Sequence, residues 1–230
     1  MTPDNVVYRA AVWIIPLVIA IVFHEVAHGW VARMLGDRTA HDQRRLSLNP
    51  LRHVDPVGTV LLPMALALAK APVFGWAKPV PVNPNRLRNP RFGMMAVAIA
   101  GPITNLLLAL VAAVLLGLSW APLGGDDAGG LAAFWFENLF NFLSINIFLA
   151  LFNLLPLPPF DGGHIVQGLL PRPLAARWAG MARYAFPVVI LLLVFLPMLV
   201  PGANIVQRLV VPPFKAVRAG YLAIAAAIGG

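Results

Sequence analysis

VVYRAAVWIIPLVIAIVFHEVAHGWVARML, residues 6–35, is an apolar run into which His24, Glu25 and His28 are set within five positions. At 1.5 Å per residue such a run crosses a hydrocarbon core of roughly 30 Å. It lacks the basic start of a signal peptide and is too long for one, so a retained helix is expected. The rest of the chain agrees. Of 230 residues, 60% are hydrophobic and only 11% charged, with a mean hydropathy of +0.79. A soluble enzyme of this composition would expose more apolar surface than water tolerates, and disorder needs the opposite balance. A bilayer is the expected solvent.

Outward from the first run, the basic residues Arg33, Arg38, Arg44, Arg45 and Arg52 lead to Asp55-Pro56. Residues 57–72 are apolar but short and broken by Pro63, which suits a re-entrant segment. Residues 75–90, including Gly75-Trp76-Ala77-Lys78-Pro79-Val80-Pro81-Val82-Asn83-Pro84, are too rich in proline for helix and read as extended chain. Further spans are expected at 92–120, 131–157 and 184–200. The basic tail beyond Pro201, with Arg208, Lys215 and Arg218, reads as an interfacial amphipathic helix. The expected fold is therefore all-α and polytopic, with about four transmembrane helices. Residues 1–170 form its core and 171–230 add one span and the tail.

Charge sets the expected orientation. The net charge is +8, and stretches 33–55, 78–91 and 172–183 are basic while 121–130 is acidic. Basic loops mark the cytoplasmic side, which puts the N-terminus outside and makes 57–72 enter and leave on one face. Without a basic helix or aromatic-basic motif, the charge does not point to a nucleic-acid partner. The absence of cysteine excludes disulfides, thiolate metal sites and cysteine nucleophiles.

His24 and His28 are four residues apart, so they share one face of a helix and can ligate one metal. Glu25 lies beside them on the wheel, placed to take a proton from water. Two imidazoles, an open water position and a carboxylate base make the zincin arrangement. The context sharpens the pattern. The chain holds two Glu and five His in all, and an ionisable side chain near the bilayer centre costs about 2.5–3.5 kcal/mol. A shared metal offsets that cost.

A catalytic zinc needs a third protein ligand. The candidates are Asp161, His164, His53, Asp55 and Glu137. Asp161 is favoured, because the first span and the 131–157 span both run inward and reach a similar depth near His24 and Asp161. Pro156, Pro158 and Pro159 break the helix there, and Gly162-Gly163 lets the chain turn a carboxylate back.

His24-Glu25-Val26-Ala27-His28, together with Asn153-Leu154-Leu155-Pro156-Leu157-Pro158-Pro159-Phe160-Asp161-Gly162-Gly163-His164, resembles the motif pair of the site-2 proteases, which are zinc intramembrane metalloproteases. Between them, Gly101-Pro102-Ile103-Thr104-Asn105 resembles a third motif of that family. The likeness covers about residues 10–170, and the segments at 53–59 and 75–84 are similar to its compact prokaryotic subgroup. The resemblance implies His24, His28 and Asp161 as ligands of one zinc per chain and Glu25 as general base. It also implies cleavage within or beside a transmembrane helix of a partner, such as a membrane-anchored transcription regulator. The setting it implies is a prokaryotic inner membrane with the active site towards the cytoplasm. No PDZ or nucleotide-sensing domain is expected here, unlike in many relatives.

Other residues carry looser expectations. The Asn153 amide either holds substrate backbone or an oxyanion, or caps the broken helix. Asn105 is expected to support packing or the zinc surroundings, and His53 and His164 to support the site. The 79–84 stretch is expected either to pair with unwound substrate as an edge strand or to lie as a surface loop. A metal transporter using the same cluster is the alternative; it would predict several sites along a path and inverted repeats, and no repeat is visible. Oligomeric state is not legible.

Overall fold

The computed structural model describes residues 5–68, 75–124, 129–200 and 204–230. Among the described residues there are helices and connecting turns but no strand. The helices that matter here are α1 (Val6–Met34), α2 (Pro90–Trp120), α3 (Gly130–Asn153), α4 (Asp161–Leu169), α5 (Arg172–Met181) and α6 (Val211–Gly229). Among the described residues, four helical stretches are long and apolar enough to cross a membrane: Val6–Met34, Pro90–Trp120, Gly130–Asn153 and Val206–Gly229. An all-helical, four-span protein is what composition and run lengths predict.

The run expected as a span at 184–200 is helical through the consecutive pieces Ala185–Ile190, Leu191–Phe195 and Leu196–Leu199. The tail, expected as an amphipathic helix, is helical over Val206–Gly229 and is by length and composition also able to span. Its basic residues are Arg208, Lys215 and Arg218, and the Arg218 guanidinium lies over the Phe140 ring, 5.2 Å from its centroid. Beyond them the helix is apolar and seats Ala225 in a protein core.

Residues 56–68 form a short apolar helix in two parts, Pro56–Leu61 and Leu62–Leu68, only about 20 Å long. The expected re-entrant segment extends to 72, and its last residues lie outside those described. Residues 75–83 are extended, as the prolines require. They lead through the single turn Pro84–Arg86 to Asn89, whose Oδ1 accepts from Phe92 N–H at the start of α2.

The chain divides into two compact units. One holds α1 up to Ala20, residues Pro102–Asn153 and residues from Val206 on. Its core packs Ala109, Ala112, Ala113 and Leu116 of α2 against Leu139, Leu143 and Ile147 of α3 and Ala225 of α6. Small residues permit close helix approach where lipid supplies no hydrophobic drive. Buried polar residues tie the same helices. Pro16, inside α1, has no N–H for the Val12 carbonyl one turn earlier. Asn141 of α3 donates to that carbonyl at 2.8 Å and repairs the gap. Fully buried Asn105 donates to Asn146 Oδ1 at 2.7 Å and to the Ala20 carbonyl at 3.3 Å.

The other unit comprises Ile21–Gly101 and Leu154–Ile205 and contains every residue of the group described next. Ala32 of α1, Leu87 just before α2 and Val97 of α2 form its small core. Helix α1 ends in a Schellman turn: Gly36 has φ +111°, and Asp37 N–H returns to the Ala32 carbonyl at 2.9 Å.

Candidate metal centre

Histidines four apart on α1 project to one side of the helix, and there their rings meet edge-on, with centroids 4.6 Å apart. Helix α4 brings the third partner. After Asn153 the chain makes a tight turn through 154–160, with a cis Pro158–Pro159 peptide, and Asp161 opens the first turn of α4. Gly162 and Gly163 are helical rather than left-handed, so their purpose is close approach. A Cβ on Gly162 would strike the Leu154 and Leu155 carbonyl oxygens, and one on Gly163 would sit 2.8 Å from Pro158 N. The sequence reading expected them to turn the chain; they let α4 pack onto the turn instead.

Asp161 Oδ2 lies 3.2 Å from His24 Nε2 and 3.5 Å from His28 Nε2. One ligand atom from each of the three residues falls within 4.8 Å of the others. Asp161 Oδ2 is buried yet makes no hydrogen bond, which in a native protein demands an explanation. The tautomer of His28 supplies part of it. His28 Nδ1 is 2.7 Å from the Val97 carbonyl oxygen, an oxygen that can only accept. Nδ1 therefore carries the proton, and Nε2 turns a bare lone pair towards Asp161. Lone pairs aimed at a common point are what a cation requires, so the residues fit a metal.

Helix α2 closes the group with a residue that has no side chain. A Cβ on Gly101 would lie 2.5 Å from His24 Cε1 and 2.6 Å from both His24 Nε2 and His28 Cε1. Only glycine lets α2 pass this close to both imidazoles. Its presence in an apolar run signals close packing, but nothing local names the histidines as what it packs against.

Glu25 faces the extended segment. Val80 N–H donates to Glu25 Oε2 at 2.7 Å, and Val80 is buried. The segment is fixed on both sides of that bond. Lys78 N–H donates to the His53 carbonyl at 2.9 Å, Arg45 Nη2 donates to the Lys78 carbonyl at 2.8 Å, and Asn83 N–H donates to Asp37 Oδ2 at 2.6 Å. Asp37 is fully buried and also accepts from the Thr39 N–H and hydroxyl. Burial pushes its pKa up, but the Thr39 hydroxyl, the Asn83 and Thr39 N–H groups and nearby Arg86 outweigh that and hold it below the usual carboxylate value. The sequence reading did not single out Asp37.

The remaining candidates take other places. Asp55 caps the short helix, accepting from Val57 and Gly58 N–H. Glu137 accepts from the Tyr8 hydroxyl at 3.1 Å. His53 is buried with Nε2 2.8 Å from the Ser47 carbonyl, while exposed His164 follows Asp161 by one turn and is not one of the three converging residues. Asn153 ends α3 with its amide donated back to the Leu149 carbonyl at 2.9 Å.

Known proteins place this arrangement in context. The profile described as "Peptidase family M50" matches residues 121–196. "Putative zinc metalloprotease YwhC" of Bacillus subtilis is 41% identical over 184 residues, covering 79% of this chain and 79% of that protein. "Putative zinc metalloprotease Rip2" of Mycolicibacterium smegmatis is 29% identical over 180 residues, 76% of this chain and 63% of that one. "Zinc metalloprotease Rip1" of Mycobacterium tuberculosis is 51% identical over 53 residues, which is 22% of this chain and 12% of that protein. No solved structure matches significantly.

Proposed function

The chain belongs to peptidase family M50 and is a membrane zinc metalloprotease; from that premise we propose that it hydrolyses a peptide bond within or beside a transmembrane helix of a membrane-anchored substrate. His24, His28 and Asp161 hold one zinc, and Glu25 is the general base. The observation that carries this reading is the convergence of three ligand atoms, from His24, His28 and Asp161, within 4.8 Å of one another.

Zinc supplies Lewis acidity, lowering the pKa of water to about 7 and polarising a carbonyl. Glu25 takes the proton of the attacking water as its oxygen adds to the scissile carbonyl carbon. It then delivers that proton to the leaving amine as the C–N bond breaks. Val80 N–H donates to Oε2, which orients the carboxylate and leaves lone pairs on both oxygens to move the proton. The buried setting of His24 and His28 excludes bulk water from the ligands. The Asn153 amide spends one of its two N–H groups on Leu149 and keeps its other N–H and its oxygen for a peptide backbone.

A transmembrane helix satisfies its own backbone, so substrate must unwind before attack. The extended segment offers a place to receive it. Prolines 79, 81 and 84 have no N–H, while those of Lys78, Val80 and Asn83 are bound within the protein. Val82 N–H is the one left for an incoming strand among the described residues of 78–84. A Val82→Pro variant should raise KM while leaving kcat near its original value; an unchanged KM would remove the strand-pairing step.

The cytoplasmic side of a prokaryotic inner membrane is the setting the basic loops favour. A transport path would need several metal positions, and the described residues hold one such group. The deciding experiment incubates purified protein and zinc with a membrane-anchored substrate. Glu25→Gln should keep zinc and lose cleavage; cleavage retained by that variant would overturn the base assignment.

A further inference from the structure

Arg91 stands in the first turn of α2, in one of the basic stretches that orientation logic assigns to the membrane surface. Its side chain has a different engagement. Nε donates to the Gly168 carbonyl at 2.6 Å, and Nη2 donates to the Leu170 carbonyl at 2.7 Å and the Leu169 carbonyl at 3.4 Å. These are carbonyls at the C-terminal end of α4, which a helix leaves without internal partners. The guanidinium also meets the negative end of the α4 dipole. A second contact presses the same two turns together: a Cβ on buried Gly168 would collide with the Met95 side chain, one turn along α2.

Asp161 is in the opening turn of that helix, and α4 has nine residues. The helix is therefore a rod about 13 Å long, with a metal ligand at one end and an arginine clamp at the other. Metal ligation tolerates about 0.2 Å of error, which over this length corresponds to about 1° of tilt. Near Asp161 the rod is held by Trp178 of α5, whose Nε1 donates to the Gly163 carbonyl at 2.9 Å. One point of attachment leaves a pivot; the second fixes the angle.

We propose that Arg91 is a positioning residue for the metal centre, fixing the tilt of α4 and so the reach of the Asp161 carboxylate towards His24 and His28. The inference rests on the metal-ligand reading above. Three lines of geometry support it: the fork of hydrogen bonds to successive carbonyls, the close approach at Gly168, and the place of Asp161 in the same short helix. Lysine cannot reproduce the fork, so the role belongs to the guanidinium and not only to its charge.

The test is cobalt(II) titration of the purified full-length chain in detergent, with a competing chelator and the visible d–d absorption as readout. Arg91→Gln should weaken cobalt binding about tenfold or more and alter the band shape, because the carboxylate reaches the ion less well. Arg91→Lys should fall between it and the original protein. Arg88→Gln, which removes a neighbouring charge with no hydrogen bond to α4, should bind as the original does. Original-like affinity and spectrum in Arg91→Gln would overturn the inference alone, as would an equal loss in Arg88→Gln. If the original chain takes up no cobalt, the metal reading falls and takes this inference with it.

Discussion

Replacing Gly101 by alanine adds a single methyl group at the point where α2 faces both imidazoles. The new carbon would sit 2.5 Å from His24 Cε1 and 2.6 Å from His28 Cε1, where relaxed carbon contacts lie at about 3.5–4.0 Å. The rings or the helix must therefore give way by about 1 Å, several times the tolerance of about 0.2 Å for a metal ligand. Without metal the imidazoles can swing aside. Binding must bring them back against the methyl, so the strain is charged to metal affinity. Overpacking of this kind costs about 1–3 kcal/mol, equivalent to a five- to 150-fold weaker zinc affinity at about 1.4 kcal/mol per decade. Competition with a chromophoric zinc chelator measures it directly, and thermal unfolding of the metal-free protein shows whether the fold is intact. A folded Gly101→Ala protein with unchanged zinc affinity would refute the geometry.

Three other outcomes follow from contacts already described. Zinc at about a hundredfold excess over its Kd should stabilise the original protein by about 2.7 kcal/mol in thermal unfolding, a gain that chelator reverses and that His24→Ala and Asp161→Ala lack. Asn141→Leu should cost about 1 kcal/mol by stranding the Val12 carbonyl; with Pro16→Ala, which restores an N–H to that carbonyl, the same substitution should cost nothing further. The Asp37 carboxyl has its pKa depressed in the folded protein, so its stabilisation is fully present above its ordinary value and lost as pH falls through the folded one. Asp37→Asn should accordingly flatten the acid limb of stability measured by unfolding across acidic pH, and an unaltered limb would show that the carboxylate is not anchoring Asn83.

The candidate ligands His24, His28 and Asp161, which the structure brings together, were legible because they are chemically expensive where they stand. In a chain with two glutamates, one of them between two histidines inside an apolar run is conspicuous without any knowledge of the fold. Asp161 was legible for the same reason, as a carboxylate after a helix broken by prolines. What stayed hidden was whatever depends on a partner far along the chain. Gly101 is separated from His24 by 77 positions, a number fixed by topology and not by local pattern. Arg91 has no local feature to distinguish it from Arg86 or Arg88, yet it alone of the three reaches α4. The last long helix carries three cations that lower its apparent affinity for the membrane, and only the structure shows one of them resting on an aromatic ring. Local chemistry is written in residue types, whereas long-range contact is written in shape.

The hydrogen bond from Val80 to Glu25 is made by the main chain. Nineteen of the twenty amino acids supply that donor, and only proline withholds it. Natural variation or deliberate engineering at position 80 can therefore change the size and shape of the side chain, within the room that Gly29 leaves it, without changing the partner of Glu25. The extended segment separates two kinds of inheritance: its backbone preserves the contact to Glu25, and its side chains remain available to vary.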